Sequence, residues 1–208
     1  MNSMKTRTPL FIRNFSILAL STLVVFLSSC SSNSEIPLET NYYLLNSQHL
    51  AKNSVNINKT VVVEVLELPA YLDQPQLVMQ LNVHQLHYAR FDVWAEPLQA
   101  GFTKALINDL NLNNNSIQFV TDELKSNKKS TDKLIVRIDY FHPSTASKVV
   151  LSGVFWTENN KVQNIIQQHF SFELLLNEDG YTHAVAQMRR LVSMMSASVI
   201  LENYDIVR

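Results

Sequence analysis

The chain has 208 residues with 17 Lys and Arg against 18 Asp and Glu, a formal charge of −1. Three of the bases, Lys5, Arg7 and Arg13, precede the first acid at residue 35, so the chain beyond residue 29 holds 14 bases against 18 acids, a formal −4. That balance excludes a nucleic-acid binder, which needs a concentrated basic face, and three glycines are too few to build a glycine-rich phosphate loop.

The leader is the first element. Its bases are followed by a mostly apolar run from Phe15 to Leu27, thirteen residues long, where a spanning helix needs about 20. Leu27-Ser28-Ser29-Cys30 comes next, small residues ending in the only cysteine of the chain. A basic segment, a short apolar run and a small-residue cleavage zone make a secretory signal over residues 1–29. The cysteine directly after it has the form of a bacterial lipobox, so cleavage before Cys30 and acylation of its sulfur are predicted. Each buried CH₂ of an acyl chain contributes about 0.8 kcal/mol, and durable anchoring takes more than one chain. Ser31 stands where an aspartate would signal retention in the inner membrane, which directs the anchor to the outer membrane, facing the periplasm. Residues 30–40 then form a polar, lipidated tether, and 41–208 a single domain with a sizeable core.

Within that domain, Tyr42-Tyr43-Leu44-Leu45 predicts a short strand and Val61 to Leu66 a longer one, because β-branched residues suit a packed, pleated surface. A corner follows, where Pro69 and Pro75 bracket Ala70 to Gln74. Proline lacks a backbone donor and fits poorly inside a central strand, so the pair fixes a turn. Leu77, Met79, Leu81 and Val83 then alternate with Val78, Gln80, Asn82 and His84, a half-buried strand whose hairpin partner is Leu86 to Phe91. Trp94-Ala95-Glu96-Pro97-Leu98 opens a helix, with Pro97 in the first turn, where its missing N–H costs nothing. Leu98, Phe102, Ala105, Leu106 and Leu110 line one stripe of it, and Asn111 to Asn115 end it.

Ile117 to Val120 is a short strand. The polar connection from Thr121 to Asp132 holds most of a lysine cluster, Lys125 to Lys133, that reads as a solvated loop. Three strands follow, Lys133–Phe141, Lys148–Thr157 and Val162–Leu176, with turns at His142-Pro143-Ser144 and Glu158-Asn159-Asn160. Leu134, Val136, Ile138 and Tyr140 share one face of the first; Phe170, Phe172 and Leu174 share one face of the last. A second helix starts at Asp179-Gly180-Tyr181 and buries Ala184, Met188, Leu191, Val192, Met195 and Val199, with Gln187, Arg189 and Arg190 outward. This order predicts an α+β fold: a mainly antiparallel sheet with two amphipathic helices packed on one face.

No chemistry-bearing constellation emerges. His84 and His87 are three apart on a strand, hence on opposite faces, which defeats a metal pair and leaves surface histidines. Glu64 and Glu67 alternate sides in the same way and make no acid pair. His142, His169 and His183 are scattered, and no serine sits in a Gly-x-Ser-x-Gly elbow. We therefore expect no catalytic residue, no metal and no cofactor. Two stretches stand out as contact surfaces. One is Leu68-Pro69-Ala70-Tyr71-Leu72, apolar residues in a proline-bounded loop, and the other is Trp94 to Leu98, with Trp94 and Glu96 its leading candidates. Trp94 reads first as a core residue pinning helix to sheet, whereas Tyr71 divides evenly between core and interface.

The order Leu-Pro-x-Tyr-Leu-Asp-x-Pro-x-Leu-Val over Leu68–Val78, an extended hairpin, and then Trp-Ala-Glu-Pro-Leu over Trp94–Leu98 resembles the ABC-type transport auxiliary lipoproteins, the paraquat-inducible protein C family. The resemblance runs from Tyr42 to about Leu201. It implies a non-catalytic lipoprotein that anchors or docks an ABC-transporter-linked intermembrane lipid transport complex at the outer membrane. Its partner there would be a mammalian-cell-entry (MCE) protein. Homo-oligomers are compatible with it. Two other roles stay open at this point, a lipid-carrying module with its own apolar cavity and an assembly factor for an outer-membrane β-barrel.

Overall fold

Short, β-branched segments separated by two longer apolar stripes fold here into one sheet and two helices. The computed structural model describes residues 39–45, 57–66, 68–114, 116–124, 132–159 and 166–204. The signal segment, Cys30, most of the tether and the lysines of the 125–131 loop lie outside the described residues. In chain order the elements are β1 (Asn41–Tyr43), β2 (Lys59–Val65), β3 (Gln76–Asn82), β4 (Gln85–Trp94), α1 (Leu98–Leu112), β5 (Ile117–Val120), β6 (Asp132–Ser144), β7 (Lys148–Glu158), β8 (Gln168–Leu175) and α2 (Tyr181–Asn203). A short 3₁₀ turn, Asp122–Leu124, follows β5.

The fold is α+β, as expected, and its longest ladders are antiparallel, but the sheet is mixed rather than strictly antiparallel. Strands that follow one another in the chain pair antiparallel in three cases: β3 with β4, β6 with β7, and β7 with β8. Strands far apart in sequence pair parallel: β1 with β4, β2 with β5, and both β2 and β3 with β6. β6 is the axis. One of its edges carries β2 opposite Asp132–Val136 and β3 opposite Ser144, and the other carries β7 along its whole length. Val61, Val62 and Val63 are all buried on β2, the continuous apolar run of a strand covered on both faces.

β6 also holds an irregularity. Ile138 pairs with Gly153 and Tyr140 with Ser152, so Asp139 is an extra residue, a β-bulge. Strict alternation put Tyr140 on the core face beside Leu134, Val136 and Ile138. The extra residue turns Tyr140 out to 52% exposure and brings Phe141 in at 1%. Gly153 permits the bulge, since a Cβ there would lie 2.0 Å from the Arg137 carbonyl oxygen. His142-Pro143-Ser144, expected in a turn, instead continues the strand to its end.

Both helices pack on one face and against each other, α1 over β2 and β5, α2 over β6, β7 and β8. Phe102 of α1 meets Phe141 edge-on with centroids 5.4 Å apart, and Leu106, Leu110, Leu191, Val192 and Met195 have no exposed surface. Burying such side chains contributes about 1.5–3 kcal/mol each. Two residues of α2 expected to face outward do not. Gln187 is buried, and Arg189 reaches Asp109 of α1 with two bonds, Nη1 to Oδ2 at 2.5 Å and Nη2 to Oδ1 at 2.6 Å. The asparagine-rich end of α1 has a structural task. Asn111 accepts from the Phe119 N–H and donates to its carbonyl, both at 2.9 Å, and Asn114 Oδ1 accepts from the Ile117 N–H at 2.8 Å. The side chains thus hold β5 where a neighbouring strand would.

Candidate functional site

The two stretches that stood out in the sequence come together in space. The Trp94 N–H donates to the Pro75 carbonyl at 2.7 Å, joining the end of β4 to the end of the proline corner. The corner is one tight turn, in which the Pro69 carbonyl accepts from the N–H groups of Leu72 at 2.8 Å and Asp73 at 3.3 Å. Leu68 and Leu72 point inward, at 5% and 2% exposure. Tyr71 reaches along the sheet to the bulge, where its hydroxyl donates to the Asp139 carbonyl at 3.1 Å. Its ring meets His142 edge-on at 5.9 Å. Burial pushes the Tyr71 phenol well above its ordinary pKa, so it remains a donor throughout the working range.

On the other side, Pro97 caps α1 and its carbonyl accepts from the Gly101 N–H at 3.1 Å. No side chain caps the helix. Glu96 instead sets its carboxylate over the first turn, with Lys104 as its partner and Oε1 next to Gly101, a favourable place for negative charge. The Ala95 N–H donates to the Tyr43 carbonyl at 2.8 Å, so the end of β1 is fastened to the same spot.

Two clefts flank the corner. One, of about 300 Å³, lies between Asp73, Gln74 and Pro75 on the corner and Trp94, Ala95, Glu96, Pro97 and Leu98 at the start of α1. The other, of about 430 Å³, lies between Leu68, Pro69, Ala70 and Asp73 and the bulge residues Arg137, Ile138 and Asp139. Asp73 borders both. Arg137 and Asp139 neutralise each other along the bulge wall of the second cleft at 3.1 Å. Among the described residues lining the two clefts, no nucleophile and base stand in hydrogen-bonding reach.

Of the residues expected to form the contact surface, Leu68, Leu72 and Trp94 are core members; Trp94 is 8% exposed. Most of their apolar surface is covered by the fold, although Trp94 still lines the first cleft and Leu68 the second. Pro69, Tyr71 and Glu96 are half-buried at its rim. Exposed Asp73, Gln74, Ala95 and Pro97 complete it. Ala95 and Pro97 belong to the Trp94–Leu98 stretch singled out in the sequence, whereas Asp73 and Gln74 were passed over because a polar residue in a turn is the common case. Their signal was position, between the two prolines. Cys30 lies outside the described residues.

The family model for the ABC-type transport auxiliary lipoprotein component matches residues 43–199, from β1 to the last turns of α2. The chain belongs to this family. The match spans the corner, both clefts and both helices of the auxiliary lipoprotein domain. Among curated relatives, the chain is 27% identical over 183 residues to the intermembrane transport lipoprotein PqiC of Escherichia coli K12, covering 86% of this chain and 92% of that protein. The Shigella flexneri protein of the same name matches equally. Two solved structures share the auxiliary lipoprotein fold. One, an uncharacterized protein, superposes with a TM-score of 0.68 at 24% identity, covering 79% of this chain and 98% of its own. A Xanthomonas campestris protein superposes at 0.60 with 10% identity, covering 77% and 93%.

Proposed function

We propose that this protein is a non-catalytic, outer-membrane-anchored lipoprotein that docks the MCE-domain component of an ABC-linked intermembrane lipid transport system. Acylated Cys30 holds it in the leaflet, facing the periplasm, and the corner surface binds the partner. The observation that carries this reading is the Trp94–Pro75 bond. It gathers the two segments that carry the family resemblance into one proline-walled surface. The name of the E. coli relative, an intermembrane transport lipoprotein, supports the same role. Prolines on both walls mean that little loop entropy is lost on docking, and anchoring raises the effective concentration of the domain near a membrane-bound partner. The packing of the side chains between helices and sheet, many with no exposed surface, favours docking over carriage of a lipid in an apolar cavity.

Photo-crosslinking tests this directly. A photoreactive residue at Gln74 or Ala95 of the lipidated protein is expected to yield adducts with the MCE-domain protein of the same cell. One at exposed Ser193 on α2 is not. Adducts from Ser193 with none from Gln74 and Ala95 would place the interface elsewhere.

A further inference from the structure

Resting on the docking role just proposed, we infer that the cleft between the corner and α1 takes an apolar side chain that is followed or preceded by a lysine or arginine on a segment of the partner protein. The walls and floor dictate the apolar half. Pro75, Trp94, Ala95, Pro97 and Leu98 line the cleft, and its volume of about 300 Å³ is at the low end for ligand pockets. That is room for one or two side chains, and too little for a phospholipid. The floor is preformed, because Trp94 is fixed both by its core contacts and by its bond to Pro75.

The rim dictates the charged half. Two acids that line the cleft, Asp73 and Glu96, stand on opposite walls, and among the described residues no base lines it. The Lys104 amine is held by one oxygen of Glu96. The Asp73 side chain is exposed and has no hydrogen bond or ion pair among the described residues. A cation entering beside the apolar side chain meets two carboxylates, one of them unengaged, at a site where the flanking prolines and tryptophan exclude part of the water. An anion there meets only like charge. Complementary charge at such a rim selects among partners and speeds encounter, and like charge is the repulsive element that specificity needs. Because Asp73 also borders the second cleft, the cation would sit on the ridge from which a longer segment could continue toward Pro69 and the bulge.

The test uses the full mature lipoprotein in detergent micelles with Trp156→Phe, which leaves Trp94 as the sole fluorophore of its kind. The probes are three sets of ten-residue peptides, identical except that leucine is flanked by arginine, alanine or glutamate. The arginine set is expected to shift Trp94 emission and to bind about tenfold more tightly than the glutamate set. Asp73→Lys, at an exposed position, is expected to leave the melting temperature unchanged and to reverse that order. Asp73→Asn is expected to remove the preference without reversing it. Equal binding by all three sets, no response to any of them at millimolar concentration, or a charge preference that survives Asp73→Lys would each overturn the inference. The docking role falls separately. Crosslinks to the MCE-domain protein from Gln74 without charge preference would leave docking standing and remove this cleft chemistry. Charge-selective peptide binding without such crosslinks would do the opposite.

Discussion

His142 is 2% exposed, with Nδ1 3.2 Å from the Pro143 carbonyl and the rings of Tyr71 and Tyr140 edge-on at 5.9 and 6.0 Å. Burial lowers its pKa below the ordinary imidazole value, and the bond to the Pro143 carbonyl pulls weakly the other way. In the unfolded chain the ring titrates near its reference pKa of about 6.5. As pH falls through that value the unfolded state gains a proton that the folded state does not accept, so stability present above about 6.5 is lost on acidification. The fall in melting temperature between pH 7.5 and pH 5.5 should therefore shrink in His142→Gln. An undiminished fall would show that other groups govern the acid response. This histidine was legible in the sequence only as one of several scattered ones. Its burial depends on the bulge at Asp139 and on Tyr71 arriving from a distant turn, and neither leaves a local pattern. The bulge defeats alternation for the same reason: a period-2 count cannot register one extra residue, and the glycine that allows it sits on the opposite strand.

Among the elements, the helices and the hairpins were readable because their determinants are local. An apolar stripe at helical spacing has few alternatives, and a two- or three-residue turn between alternating runs forces antiparallel pairing. The parallel pairs were not readable, since β2 meets β6 and β5 only through long connections, and nothing within Val61–Val65 names its neighbours. The contact between helices was misjudged similarly. Arg189 falls at an outward position by spacing, yet Asp109, itself 5% exposed, faces it from α1. Removing one partner of a buried pair leaves an uncompensated charge and costs about 3–5 kcal/mol, whereas replacing both with apolar residues is often near neutral. Arg189→Met should thus lower unfolding free energy by several kcal/mol in denaturant titration, and Asp109→Leu with Arg189→Met should recover most of it. Losses that simply add would show that the two side chains do not depend on each other.

For the whole molecule, the proposed function divides labour between an anchor at Cys30 and a folded surface, and the described domain opens with β1. The chain enters the domain at Asn41, pairs in parallel with Asp92–Trp94, and passes its Tyr43 carbonyl to the Ala95 N–H at the wall of the docking cleft. β1, the first strand of the described domain, and the proposed docking surface are therefore neighbours. In the proposed function, lipidation and docking work together through effective concentration, the acyl chains supplying affinity for the leaflet and the corner supplying affinity for the partner. Cys30→Ser removes the first without touching the second. The variant is expected to leave the outer-membrane fraction as an unprocessed or soluble precursor. Its purified domain should still give the Trp94 response to the arginine peptides with unchanged affinity. In cells the crosslinking yield from Gln74 to the MCE-domain protein should fall at least tenfold, because the domain is no longer concentrated at the membrane. Normal processing and outer-membrane recovery of Cys30→Ser would remove the anchor from the mechanism. Unchanged crosslinking by a fully soluble variant would show that the corner binds its partner strongly enough to need no tether.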